Sequence, residues 1–130
     1  MRREIVIHSL DHARAALAAA GARGVPVILA SAPGAALQTG PAWFKAVIDQ
    51  AREEHPGVAV TAILDCGDQP GAVMAALRVG LTHLRFAGAA GLLPKLEAMG
   101  AILVAPPDSV LDLLDVKEPE AACAAFLGKD

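Results

Sequence analysis

Short apolar runs alternate along the chain with longer mixed segments that open at a capping residue or a proline and close near a glycine. Residues 4–8 carry Ile5, Val6 and Ile7 in one β-branched run and read as a first strand. Asp11 is placed to cap a helix over residues 12–20, which Gly21 would end in a left-handed conformation. Residues 25–30 read as a second buried strand, followed by a loop over residues 31–40. Pro41, at a first-turn position, opens an amphipathic helix to about Glu54, and Pro56-Gly57 stops it. Residues 58–64 make a third strand, and Pro70 opens an alanine-rich helix through Val79 that Gly80 ends. A fourth strand over residues 82–86, a helix over 92–99 and a fifth strand over 101–104 follow. After the rigid Pro106-Pro107, Asp108 is expected to cap a short helix over residues 109–115, and Pro119 to open a last helix to about Leu127.

Strands alternating with helices imply right-handed crossovers and a parallel sheet. The expected fold class is therefore α/β, one domain over residues 1–130, with about five parallel strands and flanking helices.

Composition narrows the function classes. Hydrophobic residues make up 55% of the chain but aromatics only 3%, and much of that apolar content is alanine. Small side chains bury little area each, so stability rests on many contacts, and apolar surface is left over for a partner such as a second copy of the chain. The net charge is -3 with no run of basic residues and no tyrosine, which excludes a nucleic-acid face. Cys66 and Cys123 lie in dissimilar contexts, which fits reduced thiols in a cytoplasmic protein rather than a disulfide framework. The basic, apolar start MRREIVIHSL breaks at His8, too soon for a secretory core, and no apolar run is long enough to span a membrane.

Candidate chemistry gathers where the third strand ends. Asp65, Cys66, Gly67 and Asp68 stand between an apolar run and a helix start, at the edge where parallel α/β folds bind ligands. Two acids and a thiol there suit an acid/base pair or a metal site. The plainer reading is that Asp68 caps the next helix, Asp65 bonds loop amides and Cys66 is core, and the frequent burial of cysteine favours it. His8 ends the first strand on the same edge and could join Cys66 as a second metal ligand, Zn2+ being the ion such donors suit. The loop SAPGAALQTG, with Ser31 and Gly34, leads to a helix start and could hold a phosphate or carboxylate, though it has no nucleotide signature. Arg85, inside a parallel strand, requires a partner, either a carboxylate such as Asp65 or a ligand anion. His83, at the opposite end of its strand, reads as structural.

Over residues 24–88 the chain resembles class II, metal-dependent ketose-bisphosphate aldolases. The resemblance is carried by Val25-Pro26-Val27-Ile28-Leu29, Gly34-Ala35, Leu64-Asp65-Cys66-Gly67, Val79-Gly80-Leu81-Thr82 and Ala87-Gly88. It implies a TIM-barrel relationship, with Asp65 at the family's proton-transfer aspartate. It also implies departures: Cys66 stands where the family has a zinc-binding histidine, and Ala87 where it has a metal-binding aspartate. Half of a (β/α)8 barrel would expose the inner face of its strands. An open doubly wound sheet, with Pro119–Leu127 covering one face, is the favoured solution, and a half-barrel arrangement the alternative.

The expected function is binding of a small anionic or phosphorylated metabolite without independent aldolase activity. Asp65 is its candidate catalytic residue, with His8, Ser31, Gly34, Asp68 and Arg85 as ligand-binding candidates and Cys66 and His8 as metal candidates. A metal-dependent lyase acting on a sugar phosphate and a non-catalytic, self-associating protein are the competing readings.

Overall fold

The computed structural model describes residues 2–128. Its elements run β1 (Arg3–Val6), α1 (Leu10–Arg23), β2 (Val27–Ala30), α2 (Ala35–Gln38), α3 (Pro41–Glu54), β3 (Val60–Asp65), α4 (Pro70–Arg78), β4 (His83–Arg85), α5 (Leu93–Ala98), β5 (Ile102–Leu103), β6 (Ser109–Asp112) and α6 (Pro119–Leu127). A 3-10 turn, Ala90–Leu92, leads into α5. All six strands are parallel, in the order β5-β4-β3-β2-β1-β6.

That order selects between the two arrangements. From β1 to β5 each strand is laid beside its predecessor in one direction, so right-handed crossovers place every helix on the same face. The helices α1 and α3, α3 and α4, and α1 and α6 accordingly pack side by side. The sheet is singly wound, as in a barrel, and not doubly wound. Helix α6 docks on α1 and covers no second face. Residues 109–115 are also not a helix: β6 pairs with β1 in register Glu4↔Val110 and Val6↔Asp112. Its sequence, SVLD, needs that non-local partner before it is a strand.

Alternation along the strands separates two cores. Ile5, Ile7, Val27, Leu29, Leu64 and Leu84 face the helices in the main core with Phe44, Leu17 and Val73. On the concave side Val6, Ala30 and Ile63 make a smaller buried cluster, against which Ile28, Ala32 and Val104 pack.

The concave side is where an incomplete barrel has to be closed, and residues 104–108 do this. They join β5 to β6 without a helix. Laid flat, the sheet would separate these edges by about 24 Å, more than so short a segment spans once it also returns along the strand length. The sheet must therefore curl, and the connection becomes a strap across its inner face. Val104 donates its N–H to Leu84 at 2.9 Å, and Asp108 to the Arg2 carbonyl at 2.9 Å.

Beneath the strap lies Glu4, 1% exposed. Arg85 Nη2 donates to Glu4 Oε2 at 2.7 Å, although three strand spacings separate β4 from β1, and Arg2 Nε lies 3.5 Å from the same oxygen. Both arginines also reach the strap: Arg85 donates to the Ala105 carbonyl at 3.2 Å, and Arg2 to the Ala105 and Pro106 carbonyls. Arg85 thus has the carboxylate partner its position demanded, but that partner is Glu4 and not Asp65.

Local signals set the helix ends. Ser9, rather than Asp11, caps α1, its hydroxyl accepting the His12 N–H at 3.1 Å, and Gly24, rather than Gly21, closes it at φ 65°. Pro41, Pro70 and Pro119 each sit in the first turn of α3, α4 and α6.

Glu4→Leu is expected to lower stability by about 3–5 kcal/mol, because it strands two arginine charges under the strap. Glu4→Leu/Arg85→Leu should cost clearly less than the sum of the two single changes. Urea unfolding of the three variants checks this; additive losses would mean that the pair is not coupled.

Candidate functional site

The carboxyl ends of β2, β3 and β4 are stitched into one edge, with Asp65 as the centre. Asp65 Oδ1 accepts the N–H groups of Gly34 at 3.0 Å and Gly67 at 2.9 Å. Both glycines are left-handed, at φ 70° and 58°, a conformation that costs glycine nothing and turns those N–H groups toward the carboxylate. The Asp65 N–H donates to Ser31 Oγ at 2.8 Å, and the Ser31 hydroxyl donates to the Ala32 carbonyl at 3.2 Å. Cys66 donates its N–H to the Arg85 carbonyl at 2.8 Å, and Ala87 to the Gly67 carbonyl at 2.7 Å. A side chain at Gly88 would come within 2.8 Å of the Asp68 carbonyl and strike the Phe86 ring, so the β4 loop closes tightly on the β3 loop.

Cys66 points the other way. One residue beyond Asp65, it falls on the helix side of the sheet, 0% exposed within the main core. Burial, reinforced by the neighbouring Asp65 charge, pushes its thiol up to about 11. Asp68 is exposed and accepts from the Gln69 side chain at 2.9 Å; the cap of α4 is Gln69, which makes no side-chain cap bond.

A second group forms where β1 and β6 end. His8 Nε2 lies 2.6 Å from Asp112 Oδ1, and the same oxygen accepts the Leu114 N–H at 2.9 Å. Burial tends to raise Asp112, but its bonds from Leu114 and His8 outweigh this and hold it below the usual carboxylate range. The His8 N–H donates to His12 Nδ1 at 3.0 Å, and burial, with His8 adding, lowers His12 from the ordinary histidine value. His8 and Ser31 line one cleft of about 90 Å³ with Ile7, Gln38, Thr39 and Trp43. A larger hollow of about 570 Å³, between Arg2, Arg3, Pro26, Ile28, Thr61 and Leu127, opens at the opposite, amino edge, away from these groups.

The structure therefore brings His8 to Ser31, and Asp65 to Ser31 and Gly34, but turns Cys66 to the helix core and places Arg85 under the strap. Among the described residues no three His, Cys, Asp or Glu side chains converge to hold a metal ion. With a buried, protonated thiol at position 66 and the Nε2 of His8 engaged by Asp112, these residues do not fit a zinc site. Sequence reasoning missed Glu4, His12 and Asp112. Glu4 carried a signal, a charge inside an apolar strand on the same face as Val6. Asp112 carried none until its segment is known to be a strand.

The sequence profile of class-II fructose-bisphosphate aldolases matches residues 3–89. The chain belongs to this family. No curated protein sequence matches it. A solved structure from Coccidioides immitis, described as a fructose-1,6-biphosphate aldolase, is similar in fold, with a TM-score of 0.60 at 16% identity over 94% of this chain. The chain spans about half of that protein, 52% of its length. The family match ends at residue 89, just after the tight Gly88 turn, so the strap and β6 lie beyond it.

Two outcomes check this geometry. Asp65→Ala is expected to cost about 2–3 kcal/mol in urea unfolding by freeing two amides bonded to a charged acceptor, and Asp65→Asn about half as much. Both thiols, with Cys123 also pushed by burial to about 11, should resist iodoacetamide at pH 8 in the folded protein and react on denaturation. Mass spectrometry reads the count; rapid native labelling of Cys66 would contradict its place in the core.

Proposed function

We propose that this member of the aldolase family binds a small anionic metabolite, a phosphorylated sugar fragment being the family's chemistry, at the carboxyl edge of its sheet and carries out no aldol cleavage alone. The observation that carries the reading is the state of Asp65. The resemblance puts the family's proton-transfer carboxylate there, and here that carboxylate is spent on the Gly34 and Gly67 amides. Its neighbour at the metal-ligand position is the core residue Cys66. What supports binding is the rigidity of the edge, on which β2, β3 and β4 loops hold one another and from which α3 and α4 rise with their amino ends. His8, Ser31 and Asp68 stand along it as candidate contacts. Gly34 shapes the loop, and Arg85 contributes at a distance through its hold on the strap. A location in the cytoplasm belongs to the same proposal, and no helix among the described residues is long and apolar enough to cross a membrane.

Thermal unfolding with inorganic phosphate or fructose 1,6-bisphosphate, run beside an aldol-cleavage assay with added Zn2+, tests the proposal. The expected result is a ligand-dependent rise in Tm with no cleavage. Cleavage that disappears in Asp65→Asn would replace the proposal with a metal-dependent lyase. Absence of any Tm shift with either compound would remove the binding role.

A further inference from the structure

The hollow of about 570 Å³ at the amino edge of the sheet has no part in anion binding at the carboxyl edge. Its size is that of a small-molecule site, and so is its lining, a largely apolar wall with a few polar groups. It forms where the strands begin. Pro26 has no N–H to offer, so the ladder between β2 and β3 starts only at Val27, whose N–H donates to the Ala59 carbonyl at 3.0 Å. Ile28 and its register partner Thr61 line the hollow from the concave face. Arg3, two positions before Ile5, lines it from the helix side together with Leu127.

The two arginines here differ in what is left to them. Arg2 is committed to the strap, donating from Nη2 to the Ala105 and Pro106 carbonyls, while its Nε lies 3.5 Å from Glu4. Arg3 is half-buried, and its side chain makes no ion pair or hydrogen bond to the described residues. The neighbouring acids are engaged elsewhere: Glu4 accepts from Arg85, and Asp108 accepts the Arg2 N–H at 2.5 Å. A half-buried guanidinium without a partner has lost hydration with nothing in return, and its planar fork matches a carboxylate in two parallel bonds. The Thr61 hydroxyl, free of any acceptor among the described residues, is a further donor to the same space. One free guanidinium and one hydroxyl answer a single carboxylate. A bisphosphate would bring charge that this apolar lining leaves unmatched.

We infer that the amino-edge hollow is a binding site for a medium-chain monocarboxylate, its carboxylate held by Arg3 and its hydrocarbon chain laid along Pro26, Ile28 and Leu127. At roughly 30 Å³ per water-sized group the hollow has room for about nineteen such groups, so the roughly ten heavy atoms of octanoate fit with the chain wholly inside. Burial of that chain supplies most of the affinity, and the guanidinium selects the charged head. No residue of the carboxyl edge takes part, so this site stands or falls separately from anion binding there.

Isothermal titration of the full-length protein with octanoate tests the site. Wild type is expected to bind one octanoate with a Kd of about 1 mM or tighter. Octanamide, which has the same chain without the charge, should bind at least tenfold more weakly. Arg3→Gln should raise the Kd for octanoate at least tenfold, and Arg3→Lys should recover part of the loss. Saturating fructose 1,6-bisphosphate should leave the octanoate Kd unchanged. No binding to wild type at 5 mM octanoate, an Arg3→Gln variant within twofold of wild type, or displacement of octanoate by fructose 1,6-bisphosphate would each overturn the inference. Should Arg3→Gln not keep the wild-type Tm, Ile28→Thr, which keeps the β-branched shape, decides in its place: a Kd raised at least threefold supports the site, and an unchanged one removes it.

Discussion

A carboxylate with almost no access to water holds this fold together. Glu4 sits on the concave side of a curled sheet, where burying a lone charge would be prohibitive. Arg2 and Arg85 both approach its Oε2, and each also grips a carbonyl of the strap. The same three side chains thus fix sheet curvature and close the opening that curvature leaves. Pro106 and Pro107 suit the strap because they carry no N–H that would be stranded against the inner face. Two buried guanidinium Nε atoms, of Arg2 and Arg85, have no hydrogen-bond partner, which fits a cluster whose geometry is set by the strap as much as by the carboxylate.

This closure shapes what the carboxyl edge can do. A complete barrel surrounds its centre with strand ends, whereas here β5 and β6 are edges and the strap fills the interior between them. The chemistry-bearing side chains consequently divide into two groups. Asp65 serves as a fastener between loops, its position at a strand end turned to structural use. The His8–Asp112 group lies at the seam between β1 and β6, and exists only because β6 returned to pair with the first strand.

Much of this was legible where the signal is local. Pro41, Pro70 and Pro119 marked three helix starts correctly because a proline at N1 needs no tertiary partner. Asp11 misled by two positions because Ser9 is an equally good cap and the chain enters the helix from β1 earlier than its apolar run suggested. The loop 31–40 conceals α2, a single turn too short to show periodicity. Residues 109–112 were beyond reach for a deeper reason. Their alternation is as compatible with a short helix as with a strand, and only the ladder to β1 decides. Arg85 announced that it needed a carboxylate, yet choosing Glu4 over Asp65 required the curvature, which no local pattern encodes. At the third strand the plain expectation of Asp65 on loop amides and Cys66 in the core matches the geometry found.

The strap ties residues around β1 to a segment about a hundred positions further along. Arg2 pairs with Asp108 across 106 positions, and Glu4 with Arg85 across 81. On the ribosome, β1 and β2 can meet early, but Glu4 then faces an apolar sheet with Arg2 alone as counter-ion until β4 has been made. The inner face is completed only when the strap and β6 emerge. Folding of this domain is thus held open at β1 until the strap is made, and a nascent chain arrested before residue 104 carries a bare concave sheet exposed to chaperones and to aggregation.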